Sequence, residues 1–224
     1  VCGRDSYKNE ANSSTGKGWS LYIDYENWLR NLEGRLFSPI VVTGSIHAIR
    51  RPFHRRVPSQ YTNDLVTPLT VLKEGYEVRF EPEAVITDKP ESQAKRDMKQ
   101  RVRVAARGAA TLWYMREMLN PMRHPVVSFQ LVSRKVFRWF VGFFGVLLFI
   151  ANWRLRRTGR VYRWFFRGQT AFYGAVFTEC LMQRSGRKTL LYIPFYVFTI
   201  HLCALIGFWE FFRGHDFSTW EPAR

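Results

Sequence analysis

Three short stretches carry side chains whose types and spacing could do chemistry. Thr62-Asn63-Asp64 sets a carboxylate directly after two capping-type residues. Thr or Asn in that place caps a helix, and an acid in the first turn meets the positive end of its dipole. Read alone, the triplet is a cap; a carboxylate held there could also take the proton of a sugar hydroxyl as it attacks. The second stretch is Lys99-Gln100-Arg101-Val102-Arg103-Val104. A basic run is ordinarily a solvated helix face or a patch on acidic lipid. Fixed guanidinium groups also neutralise a diphosphate bidentately, with no deprotonated state available. A leaving nucleotide diphosphate gathers charge as its bond breaks, so such groups act on the transition state. The third stretch, Thr43-Gly44-Ser45, precedes Ile46-His47-Ala48-Ile49-Arg50-Arg51. A glycine after a strand marks a bend or a close backbone approach, to a ligand or to a packed helix.

Other candidates are weaker. His47 and His54 lack a metal-ligand companion at useful spacing and are read as surface or packing residues. No Walker-type loop, nucleophile elbow or His-Glu-x-x-His occurs. Glu179 and His201 fall inside apolar runs, where an ionisable group suggests function or an inter-helix hydrogen bond.

The elements that must position these residues differ between the two halves. Up to about Gly108 the pattern is that of a soluble α/β unit. Tyr25, Trp28, Leu29, Leu32 and Leu36 recur at helical spacing, with Gly34 and Pro39 marking the exit. Ile40 to Val42 and Ile46 to Ile49 read as short strands. A helix should start near Thr62-Asn63-Asp64, run to Lys73 and stop at Gly75. Tyr76 to Phe80 alternates as a half-buried strand should, and Ala84 to Ile86 is a second strand candidate. Ser92 to about Met118 is helical and very basic.

The second half is membrane-like. Leu190 to Phe212 is long enough to cross a hydrocarbon core of roughly 30 Å. Phe140 to Trp153 spans if Arg138 snorkels, and Phe165 to Met182 is a third candidate, so two or three spans are expected, with three favoured. Pro121 and Pro125 should break the chain, leaving Val126 to Trp139 along the interface. Trp139, Trp153, Trp164 and Trp209 stand near the expected ends, where aromatic belts form. The polar opening to Gly18 has no signal-peptide pattern, and the sequence reads as beginning partway through a larger protein.

Composition agrees with that division. The 224 residues include 34 Lys and Arg against 18 Asp and Glu, a formal net charge of +16, with 17% aromatic residues. Length and ring content exclude a disulfide mini-protein and a disordered chain, and three spaced cysteines (Cys2, Cys180, Cys203) give no framework. The charge points to an anionic partner.

The order of these features resembles the C-terminal half of a family 2 glycosyltransferase, in the bacterial membrane-bound branch near cellulose and hyaluronan synthases. The resemblance rests on Thr43 through Arg51, Thr62-Asn63-Asp64, Gly75 through Ala84, the Arg101/Arg103 helix, Gln130 to Trp139, and the end from Gly214 to Arg224. It implies a partial GT-A domain over residues 1–110, interfacial helices over 111–139, and transmembrane helices over 140–224. It implies Asp64 as the base, with Asn63 and Thr43-Gly44-Ser45 on the acceptor side. Gln100, Arg101 and Arg103 would hold the donor diphosphate, with Val104 standing where the family has Trp. The implied partners are a nucleotide sugar, a glycan or lipid-linked acceptor and membrane lipids, not nucleic acid. Mg²⁺ or Mn²⁺ would be held mainly by residues upstream of Val1, and the protein would sit in the inner membrane with its catalytic part cytoplasmic. The competing readings are a non-catalytic membrane protein whose basic patches bind anionic lipid or nucleic acid, and a truncated relative acting as an assembly subunit.

Overall fold

The computed structural model describes residues 1–7, 14–88, 94–184 and 191–214. The protein is mostly helical (69%), with one two-stranded parallel sheet among the described residues. Strand β1 (Cys2–Tyr7) runs beside β2 (Phe80–Asp88), with Arg4 opposite Val85 and Tyr7 opposite Asp88. The register slips between Cys2 and Arg4, near Pro82 of β2, which has no N–H to give a ladder. Gly3 sits at the slip because a Cβ there would stand 2.5 Å from the Ala84 carbonyl oxygen.

Three strand expectations fail because the backbone groups find other partners. Ile40, Val41 and Val42 are buried as expected of a core run, but no strand forms there. The Val42 N–H donates to the Asp64 carbonyl (2.9 Å) and the Thr43 N–H to Cys2 Sγ (3.2 Å). Over Ile46 to Ile49, only His47 makes an isolated antiparallel bridge, to Cys2. Within Tyr76 to Arg79 only Val78 is buried; its N–H donates to Ser38 Oγ (3.1 Å), the Arg79 carbonyl accepts from the Cys2 N–H (2.8 Å), and β2 begins only at Phe80.

Helix α1 (Ser14–Leu36) forms where periodicity places a helix, yet it buries the opposite face. Tyr25 and Trp28 are half exposed and Leu36 is exposed, while Ile23, Glu26, Asn27, Arg30 and Glu33 are buried. Helix α2 (Asn63–Lys73) buries Leu65, Val66, Pro68, Leu69, Val71 and Leu72. It stops as the sequence predicts. Gly75 takes a φ of +80°, its N–H donates to the Leu72 carbonyl and the Tyr76 N–H to that of Val71, a Schellman ending.

Helix α3 (Ala94–Tyr114) gives way to a 3₁₀ turn at Arg116–Leu119. Beyond Pro125 the chain is continuously helical to Leu155. Helix α4 (Pro125–Leu131) continues through a π-helical turn (Val132–Val136) into α5 (Phe137–Leu155) as one rod. Helices α6 (Arg160–Arg184) and α7 (Tyr192–Phe212) complete the described elements. Among the described residues two helices are long and apolar enough to cross a membrane, Pro125–Leu155 and Ile193–Phe212; α6, with its cations, is not one of them. Trp153, Trp164 and Trp209 are exposed, whereas Trp139 is buried against Gly108 of α3 and Phe208 of α7.

Candidate functional site

The start of α2 is fixed by α3 rather than by its own cap. Thr62 makes no side-chain cap bond. Its N–H donates to Thr111 Oγ1 (2.9 Å), its hydroxyl lies 3.3 Å from the same oxygen, and Thr111 in turn donates to the Arg107 carbonyl. Arg107 Nη2 donates to the Tyr61 carbonyl (2.5 Å), and the Tyr61 and Tyr114 rings stack at 4.4 Å. The turn that carries Asn63 and Asp64 is thereby clamped to one face of α3. Arg103, Arg107 and Thr111 occupy that face at spacings of four residues.

Asp64 is partly buried in the first turn of α2, within electrostatic reach of Lys135 on the π-helical turn. Arg103 is partly buried one turn before Arg107. Neither guanidinium has an acidic partner among the described residues, and the Nε of each is buried without an acceptor. Burial, with the neighbouring Arg107 charge, holds the Arg103 guanidinium below its ordinary pKa. Two adjacent cations without a counter-ion form an anion-seeking arrangement.

The remaining candidates go elsewhere. Arg101 Nη2 donates to the Tyr196 hydroxyl of α7 (2.6 Å) and its guanidinium covers that ring at 5.1 Å. Gln100 is exposed. Thr43 is buried, and its hydroxyl donates to the Asp5 carboxylate (2.5 Å) instead of facing an acceptor. Gly44 and Ser45 are exposed at the loop tip, and no part of the chain comes within 4 Å of where a Gly44 Cβ would lie. Asn63 is exposed and lines a cavity with Thr67, without Asp64.

Sequence reasoning missed a buried charge network joining α1 to the π-helical turn. Arg134 donates to both Glu26 and Glu33, and Arg138 donates to Glu26 (2.6 Å) and to the Tyr22 hydroxyl (3.3 Å). Burial raises the Glu26 carboxyl pKa, but Arg134, Arg138 and Lys135 overcome that and hold it well below the usual range. For Glu33, burial outweighs Arg134 and the pKa stays raised. Arg134 and Arg138, four apart in an otherwise apolar helix, were the available signal. Behind this, Arg30 and Asn27 hold Asp5 from the other side.

No group of three His, Cys, Asp or Glu side chains among the described residues could hold a metal ion. Asp5, Glu26 and Glu33 are each engaged by a cation, so these residues do not fit a metal centre and no step is drawn through one. No known family model, curated protein or solved structure matches the chain.

Proposed function

We propose that the chain is the acceptor-side part of a family 2 membrane glycosyltransferase with a GT-A catalytic domain. It moves a sugar from a nucleotide donor of the uridine-diphosphate class to a glycan or lipid-linked hydroxyl, with inversion. One observation carries the reading: the turn bearing Asp64 is clamped to the face of α3 that holds Arg103 and Arg107, which have no acidic partner among the described residues. Asp64 accepts the hydroxyl proton as the acceptor oxygen bonds to the anomeric carbon. The bond to the diphosphate oxygen breaks on the opposite side and its electron pair leaves with the diphosphate. Arg103, with Arg107 beside it and Gln100 near the exposed edge, stabilises the charge that gathers there. Arg101 acts at a distance, tying α3 to α7.

The two apolar helices support an inner-membrane, multi-pass anchorage with the catalytic part on the cytoplasmic side, where nucleotide sugars are. The test is Asp64→Asn in the full-length gene product, assayed in membranes. Sugar transfer should disappear while UDP still protects the protein against heat; unchanged turnover refutes the role. Salt-sensitive nucleic-acid binding without UDP protection would favour the non-catalytic alternative.

A further inference from the structure

The cavity beside α2 is not used by that chemistry. It encloses about 250 Å³ between the 47–57 loop and the first turns of α2; beside the apolar Ile49 and Val57, its polar lining is His47, His54, Arg55, Arg56, Asn63 and Thr67. Every one of these side chains can donate a hydrogen bond, and none is an acid. Among the described residues the one acidic group paired to them is Glu74, 3.8 Å from Arg55 across an exposed contact, and such pairs contribute little. Arg56 has no ion-pair partner among the described residues, and Arg50 and Arg51 extend the same positive surface.

The wall is built rather than incidental. His47 Nδ1 lies 3.0 Å from the Thr43 carbonyl, and Thr43 is itself held by Asp5 and Cys2 in the core, so the ring has a fixed seat. Asn63 and Thr67 project from one face of α2, whose N-terminus adds its partial positive charge. Successive guanidinium forks at Arg55 and Arg56 offer more N–H groups than one carboxylate can accept. The three oxygens of a phosphoryl group can take them.

We propose that this cavity is a binding site for a phosphoryl group, separate from the Arg103/Arg107 pair. The proposal rests on the cavity alone and stands whether or not the chain transfers sugar. If Asp64 is a base, the site lies one residue away from it, so a bound phosphoryl group would belong to the acceptor side. The phosphoryl group could come from a soluble monoester or from a lipid headgroup, two sources of the same chemistry.

The test is a phosphorus NMR titration of the full chain in a non-ionic detergent, with inorganic phosphate and then glycerol 3-phosphate. Saturable binding is expected. The double variant R55Q/R56Q should weaken it at least about tenfold, as expected when charge-assisted bonds are lost. R154Q/R157Q, at the exposed end of α5 and on the connector after it, should leave it unchanged. Asn63→Asp, which removes no arginine but adds a carboxylate to the lining, should weaken binding in the same direction and guards against a folding defect in the double variant. Displacement of bound phosphate by bicelles containing phosphatidic acid, whose headgroup is a phosphomonoester, assigns the site to a headgroup; retention assigns it to a soluble or substrate monoester. No saturable binding, equal binding by R55Q/R56Q, or equal loss in the connector variant overturns the proposal.

Discussion

Gly207 of α7 lies so close to Val102 of α3 that a Cβ on the glycine would stand 2.5 Å from the Val102 carbonyl oxygen and 2.6 Å from the Ala105 Cβ. The helix carrying the candidate diphosphate cations thus packs backbone to backbone on a helix long and apolar enough to cross a membrane. Small residues at such a crossing let helices meet closely. The Arg101–Tyr196 bond pins the same pair further along. Gly207→Leu should force α7 off α3 and cost at least about 1–3 kcal/mol, as overpacking does. Gly174→Leu on α6, where nothing lies within 4 Å, is the control. Thermal unfolding in detergent should separate the two variants, and equal melting temperatures would contradict the crossing.

Arg134 carries two carboxylates in a site where all three side chains are almost fully buried. Replacing it with methionine leaves Glu26 and Glu33 buried without that cation, and breaking a buried pair costs about 3–5 kcal/mol. Glu33→Gln should cost far less, within about 1 kcal/mol, because burial already works against the Glu33 charge. Denaturant melts of the two variants measure the asymmetry. Similar losses would mean that Glu33 is as strongly committed to its charge as Glu26.

That network also explains where the sequence could and could not be read. The Gly75 stop followed from a local rule, because a positive φ acts within a few residues, whereas the start of α2 at Asn63 matches the expected place but is held by Thr111 of α3 and not by a Thr62 cap. Helix α1 was legible as a helix, but its buried face was not. The apolar face was taken as the inner one, whereas ion pairs with Arg134 and Arg138, more than 100 residues away, draw Glu26 and Glu33 inward. The π-helical turn was equally hidden, since its extra residue shows in no hydrophobic period; it joins α4 to α5 in one rod that starts at Pro125. Within the candidate site, residue types pointed to Asp64 and Arg103. They could not show that Thr43 serves Asp5, that Arg101 serves Tyr196, or that Arg107 is Arg103's neighbour in charge.

The same network sets a dependence on pH. The folded Glu26 pKa lies below its ordinary value of 4.5, so its contribution is complete above that value and is lost as pH falls toward the lower folded one. Tyr22 acts at the other end. Burial, opposed by Arg138, pushes its phenol up to about 12. That contribution is intact below the unfolded value near 10 and is lost as pH rises toward 12. Glu26→Gln should flatten the acid limb of a stability profile, and Tyr22→Phe should flatten the alkaline limb. Unaltered limbs in both variants would remove these two groups as the source.

Arg103 tests whether its partly buried place on α3 serves folding or an anion. A partly buried guanidinium beside Arg107, with an orphaned Nε and no acid of its own among the described residues, contributes no ion pair to stability. Arg103→Met keeps the length of the side chain and relieves the like-charge contact, so the full-length gene product should melt at an unchanged or higher temperature. If the group instead waits for a diphosphate, the same change should abolish the rise in melting temperature that UDP produces in the parent protein. A variant that melts lower yet keeps its full UDP shift would make Arg103 structural. It would leave Arg107 as the only cation of the pair able to meet the diphosphate.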